Sequence, residues 1–149
     1  MTIIAYRDGV MAADGVMWRG NVCLPAPPKI KRLADGTLFA ASGTSAICQW
    51  FLDAFPNLRA PGGPAVAADD LSALIVCPDG SCLKCDFHLL PYTVLGPYHA
   101  VGASFEFVSG ALAAGASAEQ AVRLAIEHTD LCGGEVQVER WVPARKAAA

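Results

Sequence analysis

The sequence predicts an α+β domain built from two antiparallel sheets covered by helices. Two observations carry this. Short apolar runs are joined by tight turns at Asp8-Gly9, Asp35-Gly36 and Asp79-Gly80, and Asp-Gly between such runs is the strongest short-range hairpin signal. Helical periodicity is confined to one stretch after Gly43 and two after Ser104. Hairpins and grouped helices together make layered sheets with helices on their outer faces.

Taken in order, residues 3–6 and 10–13 flank the first turn as a hairpin. Residues 15–28 have irregular polarity and close on Pro25, Pro27 and Pro28. Residues 29–33 and 37–41 read as short strands either side of Asp35-Gly36. Ile47, Trp50, Phe51 and Ala54 then recur at helical spacing, with Thr44 or Ser45 as the cap and Pro56 as the stop. Residues 57–68 are rich in Pro, Gly and Ala and read as a loop. Residues 71–77 and 81–89 form a second hairpin about Pro78-Asp79-Gly80. Residues 98–101 are a further strand. Residues 105–114 are a helix broken at Gly115. Ser117 and Gln120 make a capping box for a helix with Ala121, Leu124, Ala125 and His128 on one face. Gly133-Gly134 stops it, and residues 135–141 alternate as a last strand.

With 149 residues, 54% of them hydrophobic and 17% charged, the chain is long enough for one domain with its own core. That domain is expected over 1–142, with 143–149 a disordered tail. The net charge is −3 and no basic block stands out, which argues against nucleic acid as a partner. No run of about 18 uncharged apolar residues offers a membrane span. Arg7 and Asp8 interrupt the apolar start, so it does not read as a secretory signal. Six cysteines without an export signal suit free thiols in a reducing compartment, and a cytoplasmic location is expected.

The start of the chain carries the chemistry. A Thr hydroxyl needs a base to act as a nucleophile. A Thr at a free N-terminus brings its own, because an α-amine titrates near about 7.7–8.0. Thr2 becomes terminal once Met1 is removed, and its small side chain favours that removal. A nearby Lys ammonium would favour the alkoxide, and a carboxylate would hold that Lys in place. Asp14 ends the second strand and Lys29 opens the third. Ser42 and Gly43 precede the first helix, where amide donors and the helix dipole suit an oxyanion. Taken alone, the same residues also read as an ordinary second-position Thr, a turn carboxylate and a solvated edge Lys.

The ordered blocks "TIIAYRDGVMAAD", "KIKRLADG", "FAASGTS", "YHAVGAS" and "GGEVQVERW" resemble the proteasome β-subunit and HslV family of N-terminal-nucleophile hydrolases. The resemblance runs over about residues 2–141 and is nearest to short phage and bacterial members beginning Met-Thr-Thr-Ile-Ala-Tyr. It implies a four-layer αββα sandwich, here with a reduced helical layer, and threonine-type peptide hydrolysis inside a self-assembled ring. It implies Thr2 as nucleophile, Asp14 and Lys29 as its partners, and Ser42 and Gly43 at the oxyanion. Ser104, Thr129 and Asp130 are the supporting candidates. Two departures stand out: Ile3 replaces a second Thr, and Ala103 takes the place of the Ser in a Gly-Ser-Gly segment, with Ser104 one place along. They motivate the alternative of a catalytically decayed assembly or scaffold protein.

By the same resemblance the partners are a peptide or unfolded protein substrate, further copies in a homo-oligomeric ring, and a separate AAA+ unfoldase, since the chain has no ATP-binding motif. No cofactor is implied. Cys77, Cys82, Cys85 and His88 suggest a zinc set, but residues three apart on a strand point to opposite faces, so Cys82 and Cys85 should diverge and no metal site is expected. Cys132 reads as a buried structural thiol. His99 and His128 read as half-buried structural residues.

Overall fold

A computed structural model describes residues 1–58, 71–86 and 90–143. The first sheet has the order β10-β1-β2-β11, from Tyr98–Gly102 (β10), Ile3–Arg7 (β1), Val10–Ala13 (β2) and Gln137–Arg140 (β11). The second has the order β5-β6-β7-β8-β9, from Ile30–Arg32, Leu38–Ser42, Ser72–Val76, Cys82–Asp86 and Leu90–Val94. Val16–Arg19 (β3) and Val22–Pro25 (β4) pair only with each other. All these pairings are antiparallel. The helices are α1 (Ser45–Leu58), α2 (Phe105–Ala113) and α3 (Ala118–His128).

The layering follows from strand alternation. Ile4 and Tyr6 of β1, with Met11 and Ala13 of β2, face Leu38, Ala40, Leu74 and Val76 of the second sheet. Their neighbours Ile3, Ala5 and Ala12 face the other way, onto Val108 and Leu112 of α2 and Ala121 and Ala125 of α3. On the far side, Phe39 and Ile75 pack against Phe51 and Leu52 of α1. The order is therefore helices, sheet, sheet, helix, the four-layer sandwich expected. Burying each large apolar side chain stabilises the fold by about 1.5–3 kcal/mol.

The turns hold for the reasons their residues suggest. Asp8 and Gly9 take φ of 50° and 78°, the left-handed pair that a two-residue hairpin needs. Asp35 and Asp79 each accept the backbone N–H two residues on, from Thr37 and Ser81, both at 2.9 Å. The capping box is present at Ser117 and Gln120.

Four details differ from expectation. The stretch 15–28 contains the β3–β4 hairpin, whose Gly20-Asn21 turn is a hairpin signal masked by exposed apolar flanks. Strand β9 was not foreseen; it is an edge strand, where Pro91 is tolerated. Helix α1 runs two residues past Pro56. Pro56 has no N–H for the Leu52 carbonyl, and Lys31 Nζ bonds that oxygen instead, at 3.1 Å. His128 is exposed rather than half-buried, tilted against Phe107, because only Ala118, Ala121, Val122 and Ala125 form the buried face of α3. The loop expected at 57–68 lies outside the described residues from 59 on, as do His88 and residues 144–149 of the expected tail. Among the described residues no helix is long and apolar enough to cross a membrane.

Candidate active site

Thr2 sits at the head of β1, a strand paired on both sides, by β10 and by β2. Its backbone is fixed accordingly. The Thr2 carbonyl accepts from Ala103 N at 2.8 Å and from Ser42 Oγ at 2.9 Å. This close approach requires Gly102, at φ 100°, because a Cβ there would lie 2.1 Å from the Thr2 oxygen.

Asp14 follows β2 directly and is fully buried. Its Oδ1 accepts from Ile3 N at 3.1 Å and its Oδ2 from Gly133 N at 3.4 Å. A buried carboxylate held this way needs a cation to complete it. Lys29 supplies that cation, with Nζ 2.8 Å from Asp14 Oδ1. The same Nζ donates to Thr2 Oγ1 at 2.8 Å and to the Val16 carbonyl at 2.6 Å. All three ammonium hydrogens are thus accounted for. Because Lys29 donates to Thr2 Oγ1, the hydroxyl's own proton is directed away from Lys29.

Local sequence explains how Lys29 reaches this position. Pro27 and Pro28 fix the approach of the chain to β5. Gln137 of β11 clamps it: Lys29 N donates to Gln137 Oε1 at 2.7 Å, and Gln137 Nε2 donates to the Pro27 carbonyl at 3.2 Å. Gln137 and Gly102 were not singled out in the sequence. Gln137 looks like any polar position in an alternating strand, and Gly102 like any strand-end glycine.

The structure thus brings Thr2 and Asp14 together on the Lys29 ammonium. Ser42 also arrives, with its hydroxyl turned to the Thr2 carbonyl. Gly43 lies at the turn into α1, beside Thr2, on the wall of a cleft of about 940 Å³. Ser104 and Thr129 form a separate pair, Ser104 Oγ donating to Thr129 Oγ1 at 3.3 Å, with Thr129 bonded on to the Ala125 carbonyl at 2.8 Å. Among the described residues their side chains bond to each other and not to Thr2, Lys29 or Asp14. Asp130 is exposed on the turn after α3. Cys132, buried and 3.9 Å from Thr129 Oγ1, has its thiol pKa raised, by burial first and by Asp14 second.

The terminal amine, here on Met1, is held below its usual pKa by burial, with Lys29 adding to this and Asp14 opposing it. A lowered amine pKa leaves more neutral amine to take up a proton. Cys82 and Cys85 diverge as strand geometry requires, Cys82 between the sheets and Cys85 toward α1. No group of metal-ligating side chains occurs among the described residues.

The fold is shared with an HslV and with a bacterial BPH protein. A eukaryotic HslV from Trypanosoma brucei superposes with a TM-score of 0.72 at 17% identity, over 93% of this chain and 98% of that one. The Thiobacillus denitrificans BPH protein in complex with epoxomicin superposes with a TM-score of 0.69 at 21% identity, over 95% of this chain and 99% of that one. A second structure of the Thiobacillus BPH protein superposes with a TM-score of 0.66 at 21% identity, over 95% of this chain and 98% of that one. No family model and no curated protein matches the sequence.

Proposed function

We propose that the chain is a threonine-type peptidase whose nucleophile is Thr2, exposed by scission of the Met1–Thr2 bond. The observation that carries this is the position of Lys29 Nζ, 2.8 Å from both Thr2 Oγ1 and Asp14 Oδ1. Met1, the residue to be removed, is more than half exposed, while Thr2 is buried.

The freed Thr2 amine acts as base. It takes the hydroxyl proton as Oγ1 attacks the substrate carbonyl, while Lys29 stabilises the oxygen as it gains negative charge. The oxyanion forms against the Gly43 backbone at the start of α1. The protonated amine then passes its proton to the leaving nitrogen, the C–N bond breaks, and an ester to Thr2 remains. Water, deprotonated by the same amine, cleaves the ester and restores the site. Each step uses only groups of this chain, its substrate and one water.

We further place the protein, by its opening residues, with the short phage and bacterial members of this fold, as a cytoplasmic, single-domain subunit of a homo-oligomeric ring. Its substrates are peptides or unfolded proteins delivered by a separate unfoldase. One observation favours a second reading, a non-catalytic assembly protein: Ser104 is turned to Thr129 rather than to Thr2. Hydrolysis of fluorogenic peptides by wild type and Thr2→Ala decides between them. The peptidase reading expects activity that Thr2→Ala abolishes without loss of folding. Equal rates in the two proteins contradict it.

A further inference from the structure

Strand β10 supports the site from one side. Its last residue, Gly102, and the Ala103 that follows hold the Thr2 carbonyl, by the 2.8 Å bond from Ala103 N and the close approach that Gly102 allows. Its other edge has no strand, because β10 ends the first sheet. Lys84 of β8 ties it to the second sheet: Lys84 Nζ donates to the Ala100 carbonyl at 3.2 Å.

His99 stands beside this tie. Its side chain points into the gap between the sheets, as Val101 does two residues on and Tyr6 does opposite. It is 7% exposed, and its Nε2 is buried without a hydrogen-bond partner among the described residues. A hydrogen bond to the Gly96 backbone holds the ring. A neutral imidazole, with one nitrogen bonded and the other bare, suits this place.

A proton on Nε2 changes that. The new N–H is buried with no acceptor, and its charge meets the Lys84 ammonium. Among the described residues, the elements packed around the ring bring no free counter-charge. β6 and β7 present Leu38, Ala40, Leu74 and Val76 to this gap. Tyr6 and Cys82 are kept neutral, since burial raises the pKa of each. Asp86, two residues beyond Lys84, is taken by Tyr92 Oη at 2.6 Å and Ser72 Oγ at 3.4 Å. Arg7, next to Tyr6, is turned to the other face, where it bonds the Leu112 and Ala116 carbonyls. An edge strand held on one side yields before the rest of its sheet, so β10 relieves the repulsion by drawing away from β8.

We propose that β10 is an acid-sensitive brace of the Thr2 site, in which protonation of His99 beside Lys84 slackens the strand that holds the Thr2 carbonyl. His99 and Lys84 are then positioning residues that act through Gly102 and Ala103. The effect on rate rests on the peptidase reading above; the movement of the strand does not. Burial first, and Lys84 second, keep the His99 pKa below its ordinary value of about 6.5, so the brace is tight at neutral pH and slackens in mild acid.

Two measurements on the full chain test this, at pH values where circular dichroism shows the folded protein. The first is hydrogen exchange read by mass spectrometry and corrected for the pH dependence of intrinsic exchange. Protection of residues 98–103 should fall as His99 is protonated, while residues 38–42 of β6 keep theirs, and His99→Leu should hold 98–103 protected. Lys84→Gln keeps a donor for the Ala100 carbonyl and removes the facing charge, so it should retain more protection in acid than wild type. The second is kcat/KM for a fluorogenic peptide, each protein normalised to its own rate at the alkaline end. Protonation of the Thr2 amine alone gives an acid limb of unit slope on a logarithmic scale. A second proton steepens it, so wild type should fall behind His99→Leu by up to about tenfold per pH unit once His99 is charged. Loosening of 98–103 and 38–42 together, or of 98–103 equally in wild type and His99→Leu, overturns the brace. A Lys84→Gln protein that loosens as wild type does overturns the part given to Lys84, and equal slopes in wild type and His99→Leu overturn the effect on rate. If His99→Leu does not fold, wild-type exchange decides: loss confined to 98–103 supports the brace and uniform loss overturns it. No hydrolysis at any pH, with the expected exchange, overturns the peptidase reading and leaves the brace standing.

Discussion

Replacing Lys29 with Met separates the structural from the chemical part of the Thr2 site. The side chain is nearly the same length, so packing changes little, but the Asp14 carboxylate then stays fully buried with only two backbone N–H donors. Removing one partner of a buried ion pair costs about 3–5 kcal/mol. For a domain of this size each kcal/mol moves Tm by about 2–4 °C, so the midpoint should fall by about 6–20 °C. Adding Asp14→Asn removes the stranded charge while keeping an amide oxygen for the Ile3 N–H. The double variant should therefore be more stable than the sum of the single losses, by a coupling of about 1–3 kcal/mol. Urea unfolding of the four proteins measures this. Peptide hydrolysis should be lost in both Lys29 variants, including the stabilised double one, because the donor to Thr2 Oγ1 is gone. Strictly additive losses, or a Lys29→Met protein as stable as wild type, would show that the buried pair is not the keystone described here.

Gly102→Ala should destabilise the fold by at least about 2 kcal/mol, since φ is positive and the new Cβ would press on the Thr2 carbonyl; thermal unfolding reads the loss, and labelling of Thr2 should slow with it. Stability should also fall as the solution is acidified through about pH 6.5, the ordinary His value. His99 is buried, with Nε2 lacking a partner among the described residues, and burial, with Lys84 nearby, lowers its pKa while its Gly96 hydrogen bond opposes this. The unfolded chain then takes up the proton first, so acid favours unfolding until the folded pKa is also passed. His99→Leu should flatten that part of the urea midpoint-versus-pH curve, and an unchanged curve would remove His99 as the cause.

Much of this architecture was legible because local chemistry and global fold agree. Asp8-Gly9 and Pro78-Asp79-Gly80 specify their turns by themselves, and Ser117 with Gln120 specifies the start of α3. Thr2, Asp14 and Lys29 were legible as candidates because each lies at the edge of a strand that pattern alone locates. Their contact was not, since it depends on how β1, β2 and the segment before β5 meet. Gln137 shows the limit most clearly. It fixes the Lys29 backbone from more than a hundred residues away in sequence, and nothing in its own neighbourhood marks it. The β3–β4 hairpin was hidden for a different reason: its strands are exposed and carry no inside-outside alternation, so periodicity has nothing to report. Ser104 was expected as support for Thr2, but it caps α2 in a left-handed conformation and its hydroxyl is carried toward Thr129.

Whether Thr2 is the attacking residue is read by intact mass spectrometry before and after incubation with epoxomicin, with which the Thiobacillus BPH protein forms a complex. The expected polypeptide begins at Thr2 and gains one inhibitor mass on that residue. A chain that still carries Met1, or an adduct that persists in Thr2→Ala, contradicts it.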